Sequence, residues 1–220
     1  MKILAVDTAL GACSAALLED ERVLAHRYEV MERGHAEALA PMVQAVMGEA
    51  GETFPALDRL AVTVGPGTFT GQRVGLAFMR GLRLALGKPL TGVTSLAAMA
   101  EQARSETGIS VAAAVHDARR DEVYLEILGE GMSSSARLET FEGARALLAA
   151  ATADTVLAGT AAARMAEALR ACGKAVRLSA VIAPNAIWVA RLGARLEPTG
   201  LVPRPLYLRA PDAKLPAARS

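Results

Sequence analysis

Aromatic side chains are scarce in this sequence: phenylalanine, tyrosine and tryptophan make up 4% of its 220 residues. Hydrophobic residues nevertheless account for 52%, so alanine, leucine and valine must build most of the core. A chain of this length can bury the core of one or two domains. The formal net charge is only +1, whereas a dedicated nucleic-acid-binding domain usually carries a basic excess. The composition therefore predicts a globular protein, and it remains compatible with weak RNA contact inside a larger assembly.

Cysteine and histidine are also rare. Cys13 and Cys172 are too few for a disulfide framework, and we expect both to be buried thiols of a cytosolic protein. A helical metal site needs two histidines four residues apart, but the residue four positions after His35 is Leu39. We therefore expect no metal ligands in this chain.

Long hydrophobic runs are missing as well. The apolar run near the N-terminus has four residues, which is too short for the hydrophobic region of a signal peptide. No stretch approaches the roughly 20 apolar residues of a transmembrane helix. We expect a cytoplasmic protein with no membrane partner.

A glycine-rich stretch at 62–75 is the strongest local signal that is present. Strand residues lead into it, and Gly65, Gly67 and Gly71 provide either positive φ or room for close backbone approach. Thr70 suits the N-cap of the helix that follows. Such a turn can point backbone N–H groups at an anion, so phosphate binding has to be considered.

The known phosphate-binding signatures do not fit this stretch. It ends Gly71-Gln-Arg73, where a Walker A loop needs Gly-Lys-Ser/Thr, and a dinucleotide fingerprint needs a glycine at Thr70. The pattern leaves two interpretations open. It is either a turn used only for packing or an anion cradle, whose candidate contacts are Gly65, Gly67, Thr68 and Gly71.

Asp7 is the one acidic residue in a position typical of nucleotide chemistry. The strand 3–6 ends at Asp7-Thr8, and sugar kinases, actin and Hsp70 place a metal- and phosphate-facing acid at such a point, usually as Asp-x-Gly-Thr/Ser. This sequence reads Asp7-Thr-Ala-Leu-Gly11 instead. Asp7 is therefore either part of a weak nucleotide site or the cap of a turn. No Gly-x-Ser-x-Gly elbow is present, which argues against that type of hydrolase.

The order of elements suggests a duplicated α/β architecture with a boundary near 104–108, giving segments 1–104 and 105–220. Three strands joined by short turns predict an antiparallel meander, and Pro184 suits the first turn of a late helix. The tail from Pro198 should be extended. The predicted strands are 3–6, 13–18, 23–31, 60–64, 90–93, 111–115, 122–128 and 155–157, and the predicted helices are 35–50, 72–86, 95–104, 141–151, 160–172 and 184–196, with Ser95 as the cap of the third.

Two of these helices have more apolar surface than a single packing contact needs. The helix at 35–50 carries an apolar stripe, and the helix at 72–86 is apolar nearly all round, with Gly75 and Gly81 inside it. The pattern fits either burial within one domain or a second partner on the outer face.

Six segments together resemble the TsaB (YeaZ) family. They occur in the family's order and cover nearly the whole chain. The segments are Ile3-Leu-Ala-Val-Asp-Thr8, His35-Ala-Glu-Ala-Leu39, Gly65-Pro-Gly-Thr-Phe-Thr-Gly-Gln-Arg-Val-Gly75, Val93-Thr-Ser-Leu96, Asp117-Ala-Arg119 with Glu122-Val-Tyr124, and Pro205-Leu-Tyr-Leu-Arg209.

The resemblance implies an actin/Hsp70-like (ASKHA) fold of two lobes, each a mixed sheet flanked by helices. It implies the non-catalytic partner of TsaD in the synthesis of N6-threonylcarbamoyladenosine at position 37 of tRNA, with the ATPase TsaE as a third component. On this basis the protein lacks a cofactor of its own, and ATP or ADP binds only within the complex. A free-standing ASKHA phosphotransferase is the main alternative.

The resemblance also implies site residues. The apolar helices would form the dimer surface, homodimeric alone and heterodimeric with TsaD. Arg119 would contact tRNA or nucleotide, together with Asp7 and the glycine-rich turn. The interface candidates are Leu39, Met42, Val43, Val46, Met47, Val74, Phe78 and Leu82.

Overall fold

A five-stranded mixed sheet forms the first half of the molecule. The computed structural model describes residues 1–129 and 131–209. The first sheet has the order β3-β2-β1-β4-β5, antiparallel between β1, β2 and β3 and parallel from β1 to β4 and β5, which confirms the predicted meander. Its strands are β1 (Lys2–Asp7), β2 (Ala12–Glu19), β3 (Arg22–Val30), β4 (Arg59–Gly65) and β5 (Leu90–Thr94).

Both faces of the first sheet are covered by helices. Because side chains alternate along a strand, Leu4 and Val6 pack with α1 (His35–Glu49) and α2 (Phe69–Leu86) on one face. Ile3 and Ala5 pack with α6 (Ala186–Arg195) on the other. Leucine, valine and alanine dominate both layers, as the composition predicts.

The second sheet repeats the arrangement of the first. Its order is β10-β9-β6-β7-β8, antiparallel from β6 to β7 and β8 and parallel from β6 to β9 and β10. Helices α4 (Phe141–Ala149) and α5 (Ala162–Ala171) cover one face, and α3 (Ser95–Thr107) covers the other. Its strands are β6 (Val111–Asp117), β7 (Glu122–Leu128), β8 (Ser134–Thr140), β9 (Thr155–Ala158) and β10 (Arg177–Leu178). Two mixed sheets flanked by helices confirm the predicted fold class.

Helices α3 and α6 cross between the two halves. Helix α3 follows the first sheet in sequence but packs on the second, whereas α6 follows the second sheet and packs on the first. The backbone N–H of Ala186 donates to Ser14 Oγ at 3.0 Å, and Arg59 Nη1 donates to the carbonyls of Gly193 and Ala194 at the other end of α6. The last strand of the first sheet ends at residue 94, and the first strand of the second sheet begins at residue 111. The domain boundary near 104–108 stays a prediction.

Several predicted element ends were wrong. Helix α2 begins at Phe69 because the Thr68 hydroxyl, not that of Thr70, accepts from a backbone N–H in the first turn. Thr94 rather than Ser95 caps α3, and Asn185 caps α6 so that Pro184 lies outside it.

Strands β8 and β10 were not among the predicted strands, and their residues are partly or largely exposed. Cys13 is buried as expected, but Cys172 is exposed beyond the end of α5, so the expectation of two buried thiols was wrong. Residues 198–209 contain no helix or strand, and the rest of the predicted tail lies outside the described residues. None of the helices in the described ranges combines the length and apolar character that a bilayer crossing requires.

Candidate functional site

Asp7 lies at the carboxyl end of β1, completely covered by other residues. Its Oδ1 accepts from Thr63 Oγ1 at 2.6 Å and from the backbone N–H of Ala9 at 3.1 Å. Its Oδ2 is buried and has no hydrogen-bond partner among the described residues. Burial raises the pKa of Asp7 to about 7, although the hydrogen bonds from Thr63 and Ala9 act in the opposite direction.

This environment favours a structural role for Asp7 over a catalytic one. Oδ1 of Asp7 stabilises the turn after β1 through its bond to Ala9 and links β1 to β4 through its bond to Thr63. A metal- or phosphate-facing acid must present its carboxylate to the ligand, and Asp7 is sealed. The described residues contain no group of three or more His, Cys, Asp or Glu placed to hold a metal ion.

The glycine-rich turn packs directly against the loop after β1. A Cβ on Gly67 would lie 2.2 Å from the carbonyl oxygen of Ala9, and a Cβ on Gly71 would lie 2.2 Å from that of Thr8. Both distances are far below any real contact, so these glycines are required by close backbone approach. The backbone N–H of Thr68 also donates to the Ala9 carbonyl at 2.8 Å.

Other amides of the turn are bonded within the chain. The N–H of Gly71 donates to Thr68 Oγ1 at 3.1 Å, and the N–H of Gly75 donates to Thr8 Oγ1 at 3.0 Å. The Thr8 hydroxyl in turn donates to the Gly71 carbonyl at 2.7 Å. An anion cradle needs N–H groups that are free to point at the ligand. Of the two interpretations open from sequence, the geometry supports the packing turn.

The Gln72 side chain packs against the glycine-rich turn. Its Nε2 donates to the Gly67 carbonyl at 2.9 Å, and its side chain lies where a Cβ on Gly65 would fall, 2.6 Å from Gln72 Cδ. Gly65 has φ +103°, which favours glycine at this position. The residue that follows Gly71 therefore folds back onto its own loop.

Arg119 lies in the hairpin between β6 and β7. It has φ +63°, and its backbone N–H donates to Asp117 Oδ1 at 2.9 Å. Its carbonyl accepts from Arg209 at 3.4 Å, and Arg209 also forms an ion pair with Glu122. The structure thus brings together the segments 117–124 and 205–209, two separate motifs of the family resemblance. The Arg119 side chain is exposed, and its contact with tRNA or nucleotide stays a prediction.

The arginines of α2 hold the segment 198–209, a contact that was not predicted from the sequence. Arg73 Nε donates to Tyr207 Oη at 2.8 Å, and Arg80 donates to the Pro203 carbonyl. The backbone N–H of Leu206 donates to the Val64 carbonyl at 2.7 Å. The spacing of Arg73, Arg80 and Arg83 on one helix is the sequence signal that could have indicated this contact.

The structure divides the predicted interface residues into two groups. Leu39, Val43, Val46 and Met47 are at most 3% exposed and belong to the core between α1, α2 and the first sheet. Their interpretation as partner contacts was wrong, because a side chain enclosed by its own domain cannot reach a second chain. The remaining four are partly exposed around α1 and α2, and they are Met42, Val74, Phe78 and Leu82.

Gly75 and Gly81 differ although both lie within α2. A Cβ on Gly75 would fall 2.7 Å from Thr8 Oγ1, so packing inside this chain accounts for it. A Cβ on Gly81 would meet nothing within 4 Å. A glycine inside a helix costs roughly 1 kcal/mol relative to alanine, and nothing in the described residues requires one at this place.

Two α/β lobes with crossed helices place the protein in the actin/Hsp70-like (ASKHA) class. The solved (R)-2-hydroxyglutaryl-CoA dehydratase component A of Acidaminococcus fermentans shares this fold, with a TM-score of 0.53 at 11% identity over 88% of this chain and 97% of that one. YeaZ from Pseudomonas aeruginosa is more similar, with a TM-score of 0.73 and 35% identity over 88% of this chain and 90% of that one.

Residues 27–148 match the family model described as TsaD, tRNA N6-adenosine threonylcarbamoyltransferase. The tRNA threonylcarbamoyladenosine biosynthesis protein TsaB of Escherichia coli (strain K12) is 42% identical over 124 residues, and that of Bacillus subtilis (strain 168) is 31% identical over 124 residues. The chain belongs to this family and, within it, to the TsaB/YeaZ proteins. The sequence match spans 56% of this chain and about half the length of these curated relatives, 53% in both cases.

Proposed function

We propose that this protein is a scaffold and activator subunit in the synthesis of N6-threonylcarbamoyladenosine on tRNA, and that it acts by binding TsaD. The names of its TsaB relatives support the pathway. The observation that carries the scaffold role is the apolar surface of α1 and α2, together with the open Gly81 on α2.

The chemistry of this surface fits a partner helix. Met42, Val74, Phe78 and Leu82 are half-buried, so each keeps apolar area that a partner can cover. Gly81 and the exposed Ala77 and Ala85 lack bulk on α2, which allows a second backbone to approach closely. The same face serves a homodimer when TsaD is absent.

The subunit contributes no catalytic group of its own in this proposal. The sealed Asp7 and the intrachain hydrogen bonds of the Gly71 and Gly75 amides both support that reading. The catalytic step belongs to TsaD, while ATP or ADP, TsaE and tRNA join through the complex in the cytoplasm. The isolated protein should therefore not hydrolyse ATP in the presence of Mg²⁺. Turnover above contaminant level that disappears in Asp7→Asn would favour the phosphotransferase alternative.

Gly81→Glu tests the partner surface without disturbing the monomer. The new side chain projects into open space, and glutamate forms helix better than glycine, so the melting temperature should stay the same or rise. In the complex the same carboxylate must lose its water without a counter-ion, which costs several kcal/mol and should weaken TsaD binding at least 100-fold.

Ala163→Glu is the matched control, because it adds the same charge at an exposed position of α5 in the other lobe. Calorimetric titration with TsaD from the same source, paired with reconstituted tRNA modification, measures both variants. If Gly81→Glu binds TsaD as tightly as Ala163→Glu does, the partner surface lies elsewhere and this proposal fails.

A further inference from the structure

A polar groove of about 490 Å³ lies between the C-terminal half of α3 and helix α6. Helix α6 covers the face of the first sheet opposite α1 and α2, so the groove is separate from the proposed TsaD surface. Three arginines, two glutamates and the only tryptophan of the sequence line it. The charged residues are Glu21, Glu101, Arg104, Arg191 and Arg195.

One glutamate serves two of the arginines. Glu101 Oε2 lies 3.2 Å from Arg104 Nη1, and Glu101 Oε1 lies 2.8 Å from Arg195 Nη1. Both oxygens of this carboxylate are therefore engaged. The charges lining the groove are three guanidinium groups against two carboxylates, which leaves one positive charge in excess.

Arg191 is the most weakly neutralised of the three. Its Nε lies 3.4 Å from Glu21 Oε2, which is too long for a good hydrogen bond, and the Glu21 side chain is 74% exposed and competes with water. The Arg191 guanidinium instead stacks on Trp188, with Cζ 4.5 Å from the ring centroid. This stacking holds the planar group in one orientation.

Unsatisfied donors accompany this excess charge. The Nε atoms of Arg104 and Arg191 are buried, and neither makes a hydrogen bond within the described ranges. A buried donor without an acceptor is costly, and an incoming anion supplies the negative charge that these guanidinium groups lack. The exposed hydroxyls of Ser105 and Ser110 add further donors at the rim.

We propose that this groove is a binding site for a phosphate group carried by a nucleotide. Arginine recognises phosphate through two parallel N–H···O bonds, and a phosphate offers enough acceptors for more than one guanidinium at once. The groove is larger than one phosphate needs, and the plane of the Arg191 guanidinium, which lies over the Trp188 ring, offers the attached base a surface for stacking. The phosphate belongs either to a free nucleotide or to the backbone of an RNA strand.

Trp188 makes the site directly observable, because it is the only tryptophan in the sequence. Inorganic phosphate, AMP and a short single-stranded RNA are titrated separately into the protein at constant ionic strength, and tryptophan emission is recorded. We expect a saturable change with AMP or RNA. A tighter response to AMP identifies a free nucleotide as the ligand, and a tighter response to RNA identifies the backbone.

Arg191→Gln should weaken this binding at least 10-fold. Arg191→Lys keeps the charge but lacks the planar fork, and it should also bind more weakly than wild type. Arg27→Gln removes the same charge from β3, where Arg27 pairs with Glu49 of α1, and it should bind as wild type does. Circular dichroism confirms that each variant is folded.

Two results would overturn the proposal. The first is a tryptophan emission that does not change saturably with AMP or RNA up to millimolar concentration. A saturable response to inorganic phosphate alone counts as this result too. The second is equal loss of binding in Arg27→Gln and Arg191→Gln, which would mean that net charge rather than this groove holds the anion. Neither result bears on TsaD binding, which is tested at α2.

Discussion

Asp7 makes the stability of the fold depend on pH. Burial raises its pKa from 3.8 to about 7, so the folded state binds a proton that the unfolded state has already released in this window. The free energy of unfolding should therefore fall as the pH rises from about 4 to about 7 and level off above that. Three pKa units correspond to about 4 kcal/mol, as an order of magnitude.

Asp7→Asn should remove most of this fall. Its side-chain oxygen can still accept from Thr63 and Ala9, and it carries no charge to bury. Urea unfolding between pH 4 and pH 8.5 should show the variant close to wild type at the acid end and more stable than wild type at pH 8. The exposed Asp154→Asn serves as control. Parallel curves for wild type and Asp7→Asn would contradict the buried, proton-binding Asp7.

Two glycines of α2 should respond in opposite directions to the same substitution. Gly71→Ala places a Cβ 2.2 Å from the Thr8 carbonyl oxygen, so the loop after β1 must move, and a loss of about 2 kcal/mol or more is expected. Gly81→Ala meets no neighbour and should gain up to about 1 kcal/mol from helix propensity. Thermal or urea unfolding of the two variants checks this. Equal effects would mean that helix propensity alone governs both sites.

At the scale of the element, helix α1 should show a sharp contrast between adjacent residues. Val43 is fully buried against the first sheet, and Val43→Glu should cost several kcal/mol or prevent folding, because the carboxylate has no partner there. Met42 is half-buried, and Met42→Glu should change the free energy of unfolding by about 1 kcal/mol or less. Unfolding curves of both variants decide it, and a stable Val43→Glu monomer would contradict the assignment of this position to the core.

The elements that were predicted correctly carry strong local patterns. Strand β7 was predicted with its observed ends, since Glu122–Leu128 alternates and turn residues bound it. Strand β8, Ser134–Thr140, was missed because this edge strand is polar and mostly half-exposed, so it has no alternation to detect. Helix α1 was predicted from its period, but the period does not say which apolar residues face the sheet.

The roles of the site residues depend on contacts distant in sequence. Gly67 and Gly71 are needed because Ala9 and Thr8 lie against them, about sixty positions earlier in the chain. A single sequence shows the glycines but not the loop that they meet. For the same reason the groove at Arg191 could not be predicted, since its residues come from two helices, the turn after β2 and the loop 108–110.

For the molecule as a whole, the crossed helices predict that the two halves cannot fold independently. A fragment ending at Gly108 keeps the first sheet but lacks α6, which leaves the apolar face of Ile3, Ala5 and Leu18 open to water. The complementary fragment from Ile109 lacks α3. Each fragment alone should show little cooperative unfolding, whereas the two mixed should recover it. Circular dichroism of the fragments measures this, and an independently cooperative 1–108 would contradict the prediction.

The crossing also sets the order in which mechanical tension would take the molecule apart. A force that pulls on the C-terminal end first peels the segment 198–209 from the arginines of α2. It next strips α6 from the first sheet, breaking the bond from Ala186 to Ser14, before it reaches any strand of the second sheet. The N-terminal lobe, which the ribosome synthesises first, is thus the first to lose a covering helix when the chain is pulled from its C-terminal end. Any machine that threads this chain from its C-terminus would disable the α1 and α2 lobe while the second sheet is still intact.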